Sequence, residues 1–337
     1  MTININSNSI VYVLCPAGIK TGGTELSHQL VYLLNKNGIE AYITYTVSER
    51  NIRICEEFKQ YVEEYMTLKD IKDNKDNLLI IPEAWTFIAK GFFEIRKAIW
   101  WMSVDNYLKN YSFMFALDRY GLKQAIKTLI KNITRYRAQV SIKGLKKINY
   151  HFVQSEYARR FLQEKNIKSE ELSDYINEVY YDIDETELVK EDIVLYNPAK
   201  GANITKKIIN GYKGNAQWIP LVNMTNVEMR DTLKRAKVYI DFGPFPGKDR
   251  IPREAILSYC CLITGTYGAA GNMIDLPIGQ EYKFTKPSKK IDSIIEKIEF
   301  CLKEYDRVIR DFDKIRNVTL KEKKQFEKQV KDIFVKD

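Results

Sequence analysis

A chain of 337 residues is longer than a single hydrophobic core usually grows, so two domains are expected. With 45% hydrophobic and 29% charged residues the composition excludes long disorder and a collagen-like chain, and no apolar run is long enough to span a bilayer. The formal net charge of +9 asks for an anionic partner.

Met1–Ser9 is polar and Asn/Ser-rich, without the basic and apolar regions of a signal peptide, so a cytoplasmic protein is expected. The first strand is predicted at Ile10–Leu14. After it comes Pro16-Ala-Gly-Ile-Lys-Thr-Gly22-Gly23-Thr24-Glu25, then Leu26, Leu30, Leu33 and Leu34 on one helical stripe. Gly22 and Gly23 at a helix start let backbone N–H groups approach a ligand, and the dipole there favours anionic groups. The spacing is neither Gly-x-Gly-x-x-Gly nor a Walker loop. Further strands are predicted at Ala41–Thr46, Leu78–Ile81, followed by Glu83, and Ala98–Met102, which runs out into Ser103, Asp105 and Asn106.

From Arg119 to Lys147 there are nine cations and no carboxylate. Arg119, Lys123, Lys127, Lys131 and Arg135 repeat every four residues, while Leu122, Ile126, Leu129, Ile130 and Ile133 fall on another face. This predicts a basic amphipathic helix within 119–147, suited to an anionic membrane surface; the bland reading is a core-facing apolar stripe with a solvated lysine face. No finger, RNP or basic-zipper pattern points to nucleic acid. A strand at Tyr150–Val153 follows. Of the two histidines, His28 is expected on a helix surface and His151 in a structural role.

Acidic residues cluster in Ser169–Asp192, where Pro and Gly are absent, and a second set of strands begins just after it: Ile193–Tyr196, Gln217–Pro220, Val238–Phe242, Cys261–Thr264 and Tyr282–Phe284. Helical stretches separate most strands, which predicts parallel sheets: an α/β fold of two Rossmann-like doubly wound domains facing across a cleft. The expected boundaries are 1–180, 190–310 and a helical tail over 311–337 that packs back on the first domain. The five cysteines include no Cys-x-x-Cys pair and read as reduced core thiols. Asp182-Ile-Asp184 has no apolar strand before it, so no metal site is assigned there.

Three loops of the second half carry the chemistry. Tyr196-Asn197-Pro-Ala-Lys200-Gly201 ends the first strand, placing Lys200 where an ammonium can neutralise a diphosphate. Gly247-Lys248-Asp249-Arg250-Ile-Pro-Arg253-Glu254-Ala255 follows Val238–Phe242, with Glu254 at or near the first turn of a helix, where a carboxylate can accept bonds from a sugar or ribose hydroxyl. Gly265–Asn272 is a third flexible turn at the same sheet edge. Read alone, the second loop is equally a solvated charged loop; together the three predict a nucleotide site.

Gly22-Gly23-x-Glu25, Lys200-Gly201, the run from Met224 to Ile240 and Arg253-Glu254-Ala255 together resemble a GT-B glycosyltransferase, most similar to family four of the retaining enzymes. The resemblance covers nearly the whole chain and is strongest over 193–265. It implies that Lys200 contacts the donor diphosphate and that Glu254 binds donor hydroxyls. The family's Arg before the Lys-Gly pair is replaced here by Tyr196-Asn197, and its first Glu, eight positions before Glu254, by Pro246. Asn197 is therefore kept among the donor-side residues, with Lys248 or Arg250 as the substitute cation and Asp249 as the substitute carboxylate. Where relatives present a His-Asp pair to the acceptor this chain has Ser103 and Asp105, so Asp105 and Glu83 are the acceptor-side candidates. The loop also looks like that of capsule and surface-polysaccharide transferases. This implies a nucleotide-sugar donor and a glycan or lipid-linked glycan acceptor; with no convincing oxygen-ligand cluster in the sequence no metal or other cofactor is expected, and the basic helix adds the expectation of a cytoplasmic protein peripheral to the inner membrane face. Two rivals remain from the sequence: a nucleotide-sugar epimerase of the same fold, and a catalytically silent nucleotide-binding partner of a polysaccharide synthesis complex.

Overall fold

The computed structural model describes residues 3–47 and 54–335. The chain forms two compact units, one of Met1–Asp174 with Lys324–Asp337 and the other of Tyr175–Lys323. Strands of a parallel sheet covered by helices are buried on both faces and read as continuous apolar runs. Val11–Cys15, Leu78–Pro82 and Cys261–Gly265 are accordingly buried at every position.

In the first unit the order is β1 (Val11–Cys15), α1 (Gly22–Lys36), β2 (Ala41–Tyr45), β3 (Tyr65–Thr67), β4 (Leu78–Pro82) and β5 (Arg96–Trp101). There follow α2 (Val104–Tyr111), α3 (Phe113–Tyr120), α4 (Leu122–Thr134), α5 (Ile142–Leu145), β6 (Tyr150–Val153), α6 (Glu156–Glu164) and β7 (Glu170–Glu171). The strands form one seven-stranded parallel sheet in the order β3-β2-β1-β4-β5-β6-β7. From β1 the chain runs outward to β2 and β3, then returns past β1 to β4. The carboxyl ends of β1 and β4 therefore flank a topological switch point, where open α/β sheets leave a crevice for ligands.

The second unit contains β8 (Glu191–Tyr196), α7 (Ala202–Gly211), β9 (Gln217–Pro220), α8 (Asn226–Arg235), β10 (Ala236–Asp241), α9 (Arg250–Leu257), β11 (Cys261–Gly265) and β12 (Lys283–Phe284), followed by α10 (Ile291–Lys303) and α11 (Tyr305–Val308). Its parallel sheet has the order β12-β11-β10-β8-β9, so the switch point lies between β8 and β10. The last helix, α12 (Asp313–Phe334), contributes to both units. Its later part packs on the first sheet: Phe326 stacks on Trp100 with 6.4 Å between ring centroids, and Phe334 meets Phe152 edge-on at 5.7 Å.

The ten strands expected from the sequence are all present, with ends moved by at most two residues. The two missed, β3 and β7, are edge strands of three and two residues, too short for any periodicity to register. His28 is corrected: it is fully buried, its ring held between Thr24 O at 2.7 Å and the Tyr45 hydroxyl at 3.0 Å. The basic helix expected within 119–147 is α4: Gly121, with φ +80°, separates it from α3 and leaves Arg119 on α3, and Arg135, with φ +57°, ends it. The positions of α4 that are buried are Ala125 and Thr128, so its apolar stripe does not face the core. The described cysteines are all free thiols, four of them buried and Cys55 half-buried.

One half-buried cation ties the second unit together. Lys190 Nζ, just before β8, donates to Ala236 O at 2.8 Å and Ser258 O at 2.6 Å, joining the entries of β8, β10 and β11. Ionised donors to buried carbonyls are worth more than neutral ones, and removing them leaves the acceptors unsatisfied. Lys190→Met is therefore expected to lower the unfolding free energy by roughly 2 kcal/mol or more, read by urea denaturation; an unchanged midpoint would show that water serves those carbonyls equally well.

Candidate functional site

The second sheet's switch point is built by two loops that touch. Gly201, in the turn after β8, takes φ +62°, and a β-carbon there would lie 2.7 Å from Phe242 C and 2.8 Å from Gly243 N. Reciprocally, a β-carbon on Gly243, just after β10, would collide with the Lys200 side chain. Glycine at both positions lets the backbones close up, and the contact sets where Lys200 stands. Asn197 shapes the same turn, its Oδ1 accepting from Ala199 N at 3.0 Å while Lys200 N donates to Asn197 O at 3.2 Å.

Lys200 Nζ forms a hydrogen-bonded ion pair with Asp249 Oδ2 across the switch point. Asp249 is the N-cap residue of α9, yet its carboxylate makes no capping hydrogen bond. Asp241, at the end of β10, accepts from Gly243 N at 2.9 Å and from the Tyr239 hydroxyl at 3.1 Å. Burial raises Asp241 to about 6, against the opposing pull of Lys200. Burial alone would depress the Lys200 ammonium, but Asp249 and Asp241 outweigh it and hold the group above its usual value. Burial, and then the fields of Asp241, Asp249 and Glu254, keep the Tyr239 phenol protonated. Lys200, Asp241, Asp249 and Glu254 thus form one electrostatic cluster.

Glu254 is buried at 6% exposure, and as the fifth residue of α9 it lies just past the first turn. Arg250 is the first residue of that helix and half-buried. Lys248 Nζ lies 2.7 Å from Glu322 Oε1 on α12. The other oxygen of Glu322 binds Arg253 Nη1 at 2.6 Å, and Arg253 donates further to Lys248 O and Asp249 O, both at 3.1 Å. Glu322 and Arg253 brace the loop from behind, each under 4% exposed. Arg253 was in the motif without a role, and Glu322, in a lysine-rich stretch, gave no sequence signal at all. The loop's Gly247–Asp249 segment and the Ala269–Leu276 loop after β11 line one small cavity, so all three expected loops lie at this sheet edge.

In the first unit the switch point gathers the other candidates. Thr21 caps α1 through a reciprocal box with Thr24, and a β-carbon on Gly23 would lie 3.6 Å from Met102 Sδ, an ordinary contact. Glu83, at the exit of β4, is 2% exposed, and its Oε2 accepts from Met102 N at 3.0 Å. Burial pushes its carboxyl up to about 7, with backbone donors, Met102 N foremost, pulling the other way. Asp105, in the first turn of α2, accepts from the Tyr157 hydroxyl at 2.9 Å and is raised by burial. The Ser103 hydroxyl beside them is buried with no hydrogen-bond partner. His151 accepts from Trp101 Nε1 at 3.1 Å and is depressed by burial to about 4, in keeping with a structural role. Among the described residues no group of His, Cys, Asp and Glu is arranged to hold a metal, and no helix is long and apolar enough to cross a membrane.

No family model matches the chain, and no curated protein does. Solved structures do. HepE from Anabaena, in complex with UDP-glucose, superposes with TM-score 0.62 at 9% identity, over 96% of this chain and 98% of that one. An alpha-glucosyltransferase in complex with UDP gives 0.55 at 10% identity, over 95% and 99%. TarM gives 0.51 at 16% identity, over 79% of this chain and 55% of its own, so the chain spans little more than half the length of TarM. The two parallel-sheet domains are those of GT-B glycosyltransferase structures.

Two outcomes test this geometry. Gly243→Ala should cost roughly 1–3 kcal/mol in denaturant unfolding because Lys200 must move, whereas Gly23→Ala should be nearly neutral. Glu83 is raised from 4.5 to about 7 in the folded state, so its ionisation opposes folding and wild-type stability should fall as pH rises through that window. Glu83→Gln should gain on the wild type by roughly 3 kcal/mol at most across the same range, measured by urea unfolding on either side of it; parallel pH profiles would show that the carboxyl is not perturbed.

Proposed function

We propose that this chain is a metal-independent, retaining glycosyltransferase that moves a sugar from a nucleoside diphosphate to a glycan or lipid-linked acceptor in surface-polysaccharide synthesis at the inner face of the cell membrane. The observation that carries the reading is the Lys200 ammonium at the β8/β10 switch point, held charged among carboxylates at the head of α9. The sequence resemblance to family-four enzymes, and neighbours solved with UDP and UDP-glucose, support it.

In this reading the donor diphosphate exchanges with the Asp249 carboxylate on Lys200, and the start of α9, which the Asp249 side chain does not cap, offers its N–H groups to phosphate oxygen. As the bond from the anomeric carbon to the phosphate oxygen breaks, negative charge grows on the departing diphosphate beside a fixed cation, the main electrostatic demand of the reaction. The acceptor oxygen forms the new bond on the same face, and its proton passes to the leaving phosphate. Glu254 accepts from donor hydroxyls. Lys248, tied to Glu322, acts as a brace; Arg250 is left as the second cation at the diphosphate. Gly22 and Gly23 present main-chain N–H groups on the first unit, where Glu83 and Asp105 orient the acceptor. A carboxyl poised at about 7, as Glu83 is, suits a group that shares a proton with a hydroxyl.

Lys200→Ala should lower kcat/KM by about a hundredfold to a thousandfold and abolish the thermal shift given by UDP. Turnover should persist in EDTA; loss restored by manganese or magnesium sinks the metal-free mechanism. Epimer formation without acceptor, or nucleotide binding with neither transfer nor epimerisation, would replace the transferase reading by one of its rivals.

A further inference from the structure

The α3–α4 hairpin of the first unit carries its amphipathicity inside out. Toward α2, helix α4 presents small and polar groups: Thr128 Oγ1 donates to Lys109 O at 2.7 Å, Lys131 Nζ to Asn110 Oδ1 at 2.9 Å and Asn132 Nδ2 to Tyr111 O at 3.0 Å, with Ala125 buried between them. At 3.6 residues per turn the opposite side of the helix carries Leu122, Ile126, Leu129, Ile130 and Ile133. These five are 62, 45, 43, 53 and 71% exposed. A row of large aliphatic side chains on one solvent-facing helix surface marks an interaction site. Lys123 and Lys127 flank the row, Arg135 caps the far end of the helix, and Arg119 lies in the last turn of α3.

We propose that this hairpin docks the protein on an anionic lipid bilayer, its aliphatic row entering the boundary of the acyl chains and its cations resting on the headgroups. Charge decides between a bilayer and a second copy of the chain. A symmetric pair would bring two such faces together, each with Lys123 and Lys127 beside the row and no carboxylate on α4, and like charges would oppose the contact. An anionic surface satisfies the aliphatic and the cationic groups together. The exposed row is what distinguishes entry into the bilayer from adsorption by charge alone, and the inference does not depend on the transferase reading.

The test is sedimentation with vesicles of phosphatidylglycerol and phosphatidylcholine in equal parts, against vesicles of phosphatidylcholine alone. Wild type should prefer the mixed vesicles, and raised salt should weaken that preference. Replacing Arg119, Lys123 and Lys127 by Gln should weaken partitioning on the order of a hundredfold. Replacing Ile126, Ile130 and Ile133 by Ser should weaken it by about tenfold or more. Both sets alter exposed side chains, and circular dichroism should stay unchanged. Ile133→Trp supplies a depth probe: its emission should shift to the blue and be quenched by brominated acyl chains. Equal binding to both vesicles, no binding, or an unshifted tryptophan overturns the proposal. So does self-association in the ultracentrifuge that the serine variant abolishes, which would assign the face to a second copy.

Discussion

An ammonium at the point where two loops of a parallel sheet touch has to be held charged, and in this chain that requirement organises the second unit. Lys200 is brought there by backbone approach: Gly201 and Gly243 lack the β-carbons that would keep β8's turn and β10's loop apart. Two carboxylates, Asp249 and Asp241, then outweigh the desolvation of the lysine. The reciprocal cost falls on Asp241, which burial drives up to about 6. One partner, Asp249, belongs to a loop and the other to a strand end, so in the proposed reading an incoming anion exchanges with the first while the second stays fixed.

The loop itself is made stiff from behind. Arg253 reaches two carbonyls of its own loop and one oxygen of Glu322, whose other oxygen takes Lys248. Within the stretch of charges from Lys248 to Glu254 the structure separates two tasks. Lys248 and Arg253 hold the backbone in place, while Asp249 and Glu254 belong to the cluster around Lys200. Sequence proximity alone gives no means of making that separation.

The strands were legible because a parallel sheet buried on both faces leaves uninterrupted apolar runs, and Leu78–Pro82 or Cys261–Gly265 cannot be read as much else. The loops at their ends were legible because glycine and charge directly after such runs mark sheet edges. Three things were not. His28 lies on a leucine-rich helix, but its burial depends on Tyr45, a long-range partner invisible to helical periodicity. The pair of Lys248 with Glu322 joins residues remote in sequence, which inspection cannot bring together. The stripe of α4 has the period of a core-facing helix, and period alone does not say which side faces in; Thr128 and Ala125 decide it by packing on α2.

The brace also bears on the order in which the second unit assembles. Its βαβ units close through contacts between successive elements, whereas Arg253 and Glu322 are 69 positions apart, and closing so long a loop comes at an entropic disadvantage. The strands can therefore be in register, with Lys200 already at the edge of the sheet, before α12 arrives to fix the loop. A partly folded unit of this kind would have a nearly complete core and a pliant binding loop. Competence to hold a ligand would then be acquired as a late folding event, separate from the collapse that builds the sheet.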